Sequence, residues 1–285
     1  MGRRGHPWGR GLLRARNRAR RTVHPSEAAH PIVAGNSYAA PVRNEHLGQG
    51  LLHQPRLPFS AVRLRIVAID TTGEFGSLAL WEQTALLEEV TLHAPEGFSQ
   101  ILFEQLHRLL RRHGWDPASV NCWAATSGPG SFTGVRVGLA AVKGLAEALH
   151  AKVVAVSTLQ ALASYGQAPL RAVLMDARRG EVYGALYDAK LQLVGPEVVA
   201  SFGQWLASVP NVPGVEFVTF DFTPFLPAVR GTAFEGVPVR LAPRALAGAV
   251  ARIAAEKFRS GQASDPLSVD ANYVRRADAE LSWKD

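Results

Sequence analysis

The chain has 285 residues, of which 47% are hydrophobic and 19% charged, a composition able to bury a sizeable core and unlike that of disordered or coiled-coil chains. Its apolar runs fall short of the roughly 20 residues a membrane helix needs, and the lone Cys122 excludes an intrachain disulfide or a cysteine-based metal cage and fits a reducing compartment. The net charge of +7 is unevenly spread: residues 1–65 carry 12 Arg, no Lys and 2 acids, whereas the remainder holds 19 basic and 22 acidic residues, so a mildly acidic body follows a basic leader.

The leader, residues 1–61, crowds Arg3, Arg4, Arg10, Arg14, Arg16, Arg18, Arg20 and Arg21 among recurrent Pro and Gly and has no sustained apolar face. It reads as disordered. A transit peptide and an arm contacting phosphates both fit an arginine-rich, acid-poor segment. The favoured reading is upstream sequence added by an early start-codon assignment, because the first clean strand begins near Val62–Leu64 and no Met lies between Met1 and Met175.

From there the predicted elements run in two cycles. Residues 65–70 (RIVAID) are a β-branched apolar run ending in an acid, which predicts a buried strand; 76–81 and 86–92 predict the next two strands. Residues 95–113 carry Ile101, Leu102, Leu106, Leu109 and Leu110 at helical spacing, with Arg108, Arg111 and Arg112 near the C-terminal end, where the helix dipole favours cations. A strand over 120–127, a tight glycine loop over 128–134, an Ala-rich helix over 133–149 and a strand over 153–156 complete the first cycle. The second begins with residues 171–176 (RAVLMD), again an apolar run ending in Asp. Strands over 180–187 and 191–194, a helix over 204–209, a strand over 215–220 and a helix over 244–259 follow. The pattern predicts an α/β protein of two duplicated lobes, each a mixed sheet with flanking helices, over 62–167 and 168–285.

The glycine loop Ser127-Gly128-Pro129-Gly130-Ser131-Phe132-Thr133-Gly134-Val135-Arg136-Val137-Gly138 joins a strand to a helix, a place where backbone N–H groups can receive an anion. It fails the specific tests. No Lys-Ser/Thr follows the last Gly as a P-loop needs, the dinucleotide spacing is broken, and Ser131 lacks the flanking glycines of a hydrolase elbow. The competing reading is that the glycines permit a sharp turn and close helix–strand packing, with Ser131 or Thr133 as N-cap. Asp70-Thr71-Thr72 after the first strand is either a phosphate-orienting acid of the sugar-kinase or actin type or a plain turn. Asp70 and Asp176 could pair across two lobes, which spacing alone leaves open. The body's histidines, His93, His107, His113 and His150, are too far apart in sequence for any two to share a helix turn as ligands, so no metal site is predicted.

Residues 127–138 (SGPGSFTGVRVG), with 66–72 (IVAIDTT) before them, 174–183 (LMDARRGEVY) after, and 271–280 (ANYVRRADAE) at the carboxyl end, resemble the bacterial TsaB (YeaZ) family, in order and over the whole body. Asn272 stands where Pro is usual. Gly97-Phe98-Ser99 lacks the family's His, which removes any role for that side chain here. The resemblance implies an ASKHA (actin-like ATPase, RNase H-like) fold. It implies a cytoplasmic, non-catalytic subunit, without a cofactor of its own, in the making of N6-threonylcarbamoyladenosine at position 37 of ANN-reading tRNAs. It further implies pairing with a TsaD-like transferase subunit or, alone, with itself. A TsaE-like ATPase is also implied, with tRNA met only through the complex and no membrane involved. The implied interface lies on the first lobe's two helices, where Ser99, Leu102, Phe103, Leu106, Val135, Leu139 and Val142 are the candidate contacts. Asp70, Thr71, Gly128, Gly130 and Asp176 are the candidates for a vestigial nucleotide cleft. Two other functions stay open: an active ASKHA-type ATP-dependent phosphotransferase using Asp70, the 128–134 loop and Asp176, and a tRNA-binding protein acting through the arginine-rich leader.

Overall fold

The computed structural model describes residues 63–275; the basic leader and the last part of the 271–280 segment lie outside the described residues. Two five-stranded sheets share one topology. In the first, β1 (Arg65–Asp70) pairs antiparallel with β2 (Phe75–Glu82) and parallel with β4 (Cys122–Thr126), while β3 (Ala85–His93) and β5 (Lys152–Val156) flank them, giving the order 3-2-1-4-5. In the second, β6 (Leu170–Asp176) takes the place of β1. Antiparallel β7 (Glu181–Asp188) and β8 (Val198–Ser201) lie on one side, and parallel β9 (Val215–Thr219) and β10 (Val239–Leu241) on the other, giving the order 8-7-6-9-10. The repeated strand-then-Asp pattern is thus the central strand of each sheet.

The period of two along these strands assigns each residue to a layer. Ile66 and Ala68 of β1, with Cys122 and Ala124 of β4, face inward toward the second sheet; Val67, Ile69, Trp123 and Ala125 face the outer helices. Both faces are covered, which is why the run carries no polar alternation before Asp70. Each fully buried Ile or Leu among them contributes roughly 1.5–3 kcal/mol. The outer layer of the first sheet is α1 (Leu102–Arg112) and α2 (Phe132–Leu149), and that of the second is α4 (Phe202–Ser208) with α5 (Leu226–Val229). Phe202, Trp205, Phe217, Phe222 and Phe225 form the aromatic part of that second core, with ring centroids 4.7 to 6.3 Å apart.

Between the sheets lie α3 (Thr158–Ala163) and α6 (Ala247–Arg259), and the packing is exchanged. The helix that follows the first sheet, α3, rests on β6, β7 and β9, whereas α6, from the end of the chain, rests on the first sheet. The start of α6 is capped from that sheet as well. Leu246 N and Ala247 N donate to Ser77 Oγ at 3.0 and 2.8 Å, and Gly248 N to Glu89 Oε1 at 2.8 Å. No helix among the described residues is long and apolar enough to cross a membrane.

Three expected elements differ in bounds or kind, and α3, α5 and β10 have no counterpart among the expected elements. The first helix begins at Leu102 rather than 95, because Gly97 is left-handed (φ 103°) and closes a turn onto Ala94 O. Residues 191–194 are not a strand: Leu191 has φ 59°, Asp188 Oδ1 accepts from Lys190 N and Gln192 N, and only Leu193 bridges to Tyr187. Gly195-Pro196 then resets the chain and β8 forms instead. The last helix begins at Ala247 rather than 244, where Ser77 supplies the cap.

Candidate functional site

At the carboxyl ends of β1 and β6 the two sheets part, and a cleft of about 770 Å³ opens between them. Asp70, Thr71 and Gly130 line its first-lobe wall and Asp176 its second, so four of the five cleft residues expected from sequence come together; Gly128 does not line it.

Asp70 ends β1 and is 2% exposed. Its Oδ1 accepts from Thr72 N (3.0 Å), Thr72 Oγ1 (2.7 Å) and Thr126 Oγ1 (2.8 Å). Burial pushes its carboxyl above the usual aspartate range, and these bonds offset only part of the rise. The carboxylate therefore braces its own turn and ties it to the end of β4. Thr71 turns the other way and donates from Oγ1 to Gly134 O at 2.7 Å, while Ser131 N donates to Thr72 O at 2.7 Å.

The glycines of the loop answer to this turn. A Cβ on Gly130 would lie 2.6 Å from Thr72 O, on Gly134 1.9 Å from Thr71 O, and on Gly138 2.6 Å from Thr71 Oγ1. Three glycines at four-residue spacing press α2 and its entry loop directly on the Thr71–Thr72 backbone. Their empty Cβ positions are filled by this chain and not by a ligand. Ser131 caps α2, its Oγ accepting from Gly134 N at 3.3 Å. Gly128, with φ 104° and a cis bond to Pro129, faces Asn272 O, which a Cβ would approach to 2.9 Å.

The second wall is more exposed. Asp176 Oδ1 accepts from Arg178 N (2.8 Å), starting a hairpin turn in which Arg178, Arg179 and Gly180 all have positive φ. The sequence reading missed the cationic lining of the cleft. Arg244 stacks over Phe75 at 5.4 Å, and Arg275 lies over Tyr183 at 5.6 Å while donating to Ala177 O at 2.9 Å and to Glu181. Arg275 had a signal, since it sits within the 271–280 segment; Arg244 had none. Asp221 also lines the cleft, and hydrogen bonds from Thr223 hold its carboxyl below the usual range. Among the described residues no three His, Cys, Asp or Glu side chains gather as a metal site.

The candidate interface residues divide sharply. Leu102, Leu106, Val135, Leu139 and Val142 are buried in the first lobe's own core, because they occupy the stripe of α1 and α2 that covers the sheet. They are corrected to core residues. Ser99 and Phe103 remain on the surface, Phe103 at 55% exposure. The outward line of α2 is Arg136, Ala140, Gly144 and Ala148, all exposed.

Residues 92–237 match the family model described as TsaD, tRNA N6-adenosine threonylcarbamoyltransferase. The tRNA threonylcarbamoyladenosine biosynthesis protein TsaB of Bacillus subtilis is 30% identical over 230 residues, spanning 77% of this chain and 98% of that protein. The Escherichia coli protein of the same name is 36% identical over 130 residues, 44% of this chain and 55% of its own. Among solved structures, YeaZ from Pseudomonas aeruginosa aligns with a TM-score of 0.59 at 28% identity, covering 74% of this chain and 99% of that one. A protein described as similar to peptidase YeaZ, from the same organism, aligns at 0.65 and 25% identity over 74% of this chain and 100% of its own. The duplicated sheets and these neighbours identify the ASKHA fold, and the chain belongs to the TsaB (YeaZ) family.

Proposed function

We propose that this protein takes part in forming N6-threonylcarbamoyladenosine in tRNA as a non-catalytic subunit that pairs with a TsaD-type transferase. The observation that carries the non-catalytic reading is the internal use of the Asp70 turn and the glycine loop. Asp70 accepts three hydrogen bonds from its own lobe, and the Cβ positions of Gly130, Gly134 and Gly138 abut Thr71 and Thr72. What remains for a partner is the outward side of α1 and α2, where Phe103 on the one and the small residues Ala140, Gly144 and Ala148 on the other are exposed. In this reading the subunit acts in the cytoplasm, pairs with itself when alone, and meets the TsaE-type ATPase and tRNA, at position 37 of the ANN-reading species, through the complex.

Light scattering coupled to size-exclusion chromatography tests it. The chain mixed with the TsaD-type subunit of its organism should elute as a 1:1 complex, and Phe103→Glu, on an exposed position, should abolish that complex without changing the far-ultraviolet spectrum. A chain indifferent to that subunit, or a complex unaffected by Phe103→Glu, overturns the pairing or its location. One observation favours an ATP-dependent phosphotransferase: Asp70 and Asp176 do line one cleft. ATP turnover by the isolated chain that disappears in Asp70→Asn would establish that reading and remove the non-catalytic one.

A further inference from the structure

The segment over 272–275, the last of the described chain, bonds to both lobes, and Arg275 at its end lines the cleft. On the first lobe, Asn272 N donates to Ser127 O at 2.8 Å, and the Tyr273 ring lies 5.6 Å from that of Phe132, its hydroxyl accepting from Arg136 Nε at 3.0 Å. On the second, Asn272 Nδ2 donates to Glu197 Oε2 at 2.6 Å, and Arg275 donates to Ala177 O and to Glu181. Glu197 is itself a junction. Its Oε1 accepts from Tyr187 Oη at 2.6 Å and from the Ser157 hydroxyl, which caps α3 between the two sheets. Burial, and after it the nearby Glu197 carboxylate, push the Tyr187 hydroxyl far above its ordinary range, so the phenol stays a donor.

We infer that residues 272–275 form a strap that fixes the opening of the interlobe cleft, with Asn272 bonded to Glu197 and Arg275 bonded to Glu181 as its anchors on the second lobe. The apolar layer of α3 and α6 joins the sheets at the middle of the molecule. It resists separation but lies away from the cleft, so rotation of one sheet against the other is left to be limited by bonds at the rim. The strap supplies them. Its first-lobe contacts reach the glycine loop at Ser127 and the first turn of α2 at Phe132 and Arg136, so the angle between lobes and the seating of α2 are set by one segment. The Asn272 amide suits this position: its N–H holds the first lobe while its side-chain NH₂ serves a carboxylate that already accepts two hydroxyls.

The test is an isosteric swap. In Asn272→Asp two carboxylates face each other and the anchor is repelled. Adding Glu197→Gln restores it, because the Gln oxygen keeps accepting from Ser157 and Tyr187 while its NH₂ donates to the introduced carboxylate. Spin labels on Glu96→Cys and Thr223→Cys, exposed positions on the two rims, report the opening in the full chain; native Cys122 is buried and its thiol is pushed up to about 12, so it does not compete for label. The unaltered protein should give one narrow distance distribution. Asn272→Asp should broaden it or shift it to longer distance, and the combined variant should bring it back. A distribution unchanged by Asn272→Asp overturns the strap, and so does a broadened one that Glu197→Gln fails to correct. Hydrogen exchange at the Asn272 amide, expected to quicken roughly tenfold or more when its anchor is lost, separates release of the strap from loss of the fold, in which β4 and β5 amides would quicken with it.

Discussion

One substitution, Gly→Ala, should act with opposite sign at two places in α2. At Gly134 an added Cβ would lie 1.9 Å from Thr71 O and 3.0 Å from Thr71 C, where ordinary contact begins beyond 3.4 Å. Both partners are backbone, so relief requires α2 to lift from the β1 turn. That motion breaks the buried Thr71 Oγ1 to Gly134 O bond. Overpacking of this kind destabilises by about 1–3 kcal/mol, and a buried polar group left without its partner by about 1–3 kcal/mol more; less about 1 kcal/mol gained in helix propensity, a net loss of about 1–5 kcal/mol follows. At Gly144, exposed and with nothing within 4 Å of the added atom, only the propensity remains, and alanine should stabilise by about 0.5–1 kcal/mol. For a folded body of this size the midpoint of thermal unfolding moves by about 2–4 °C per kcal/mol, so the variants should melt well apart, on either side of the unaltered protein. Urea unfolding followed by circular dichroism, with equal m-values, measures both. A Gly134→Ala protein within about 0.5 kcal/mol of the unaltered one, or two shifts of the same sign, would refute the claim that the loop glycines exist for contact with the Thr71–Thr72 turn.

Ser77→Ala should destabilise by about 1–2 kcal/mol in urea, since it leaves two N–H groups at the buried start of α6 without their shared acceptor; an effect under about 0.3 kcal/mol would show that water replaces it. Asp70→Asn keeps the Oδ1 acceptor and removes the buried charge. Because the folded state holds the Asp70 proton to higher pH than the unfolded state, the unaltered protein loses stability as pH rises through the carboxylate range. The advantage of Asn should therefore grow as pH rises through and beyond the ordinary aspartate range, and urea midpoints whose difference is flat with pH would contradict it. Lys257→Met should stabilise at neutral pH, because burial lowers the Lys257 pKa and the unfolded chain binds that proton more readily. The gain should shrink as pH rises toward the ordinary lysine value of 10.5, and a gain that persists unchanged at high pH would point to packing instead.

The parts of this fold that sequence discloses are those governed by local period. The run at 65–70 has both faces buried, so its lack of alternation correctly marks a central strand, and the same run at 171–176 marks its counterpart in the second sheet. The helical stripe of Leu102, Leu106, Leu109 and Leu110 likewise gives α1, and the stripe faces its own sheet, because apolar spacing marks the face that is buried first. What sequence conceals is supplied from afar. The cap of α6 comes from Ser77, 169 residues earlier, so no local pattern marks Ala247 as its start. The six-residue α3 has too few turns to show a period, although its Ser157 cap is local. A glycine reports that something approaches the backbone without reporting what: the spacing of Gly130, Gly134 and Gly138 fits a phosphate as well as it fits Thr71 and Thr72, which in the fold lie against all three.

The duplication itself bears on the cleft. Asp70 and Asp176 end equivalent strands, yet their surroundings have diverged. Asp70 is buried and accepts three bonds from its own lobe, whereas Asp176 is exposed and accepts from Arg178 N at the head of a turn with three successive positive φ values. Through Oδ1 the first braces the turn on which the glycine loop and α2 rest. The second lines the cleft beside Arg178 and Arg275, close to where Arg275 is anchored on Ala177 and Glu181. One lobe has thus made its inherited acid a structural post for α2, while the other keeps its acid in the hairpin that receives the end of the described chain.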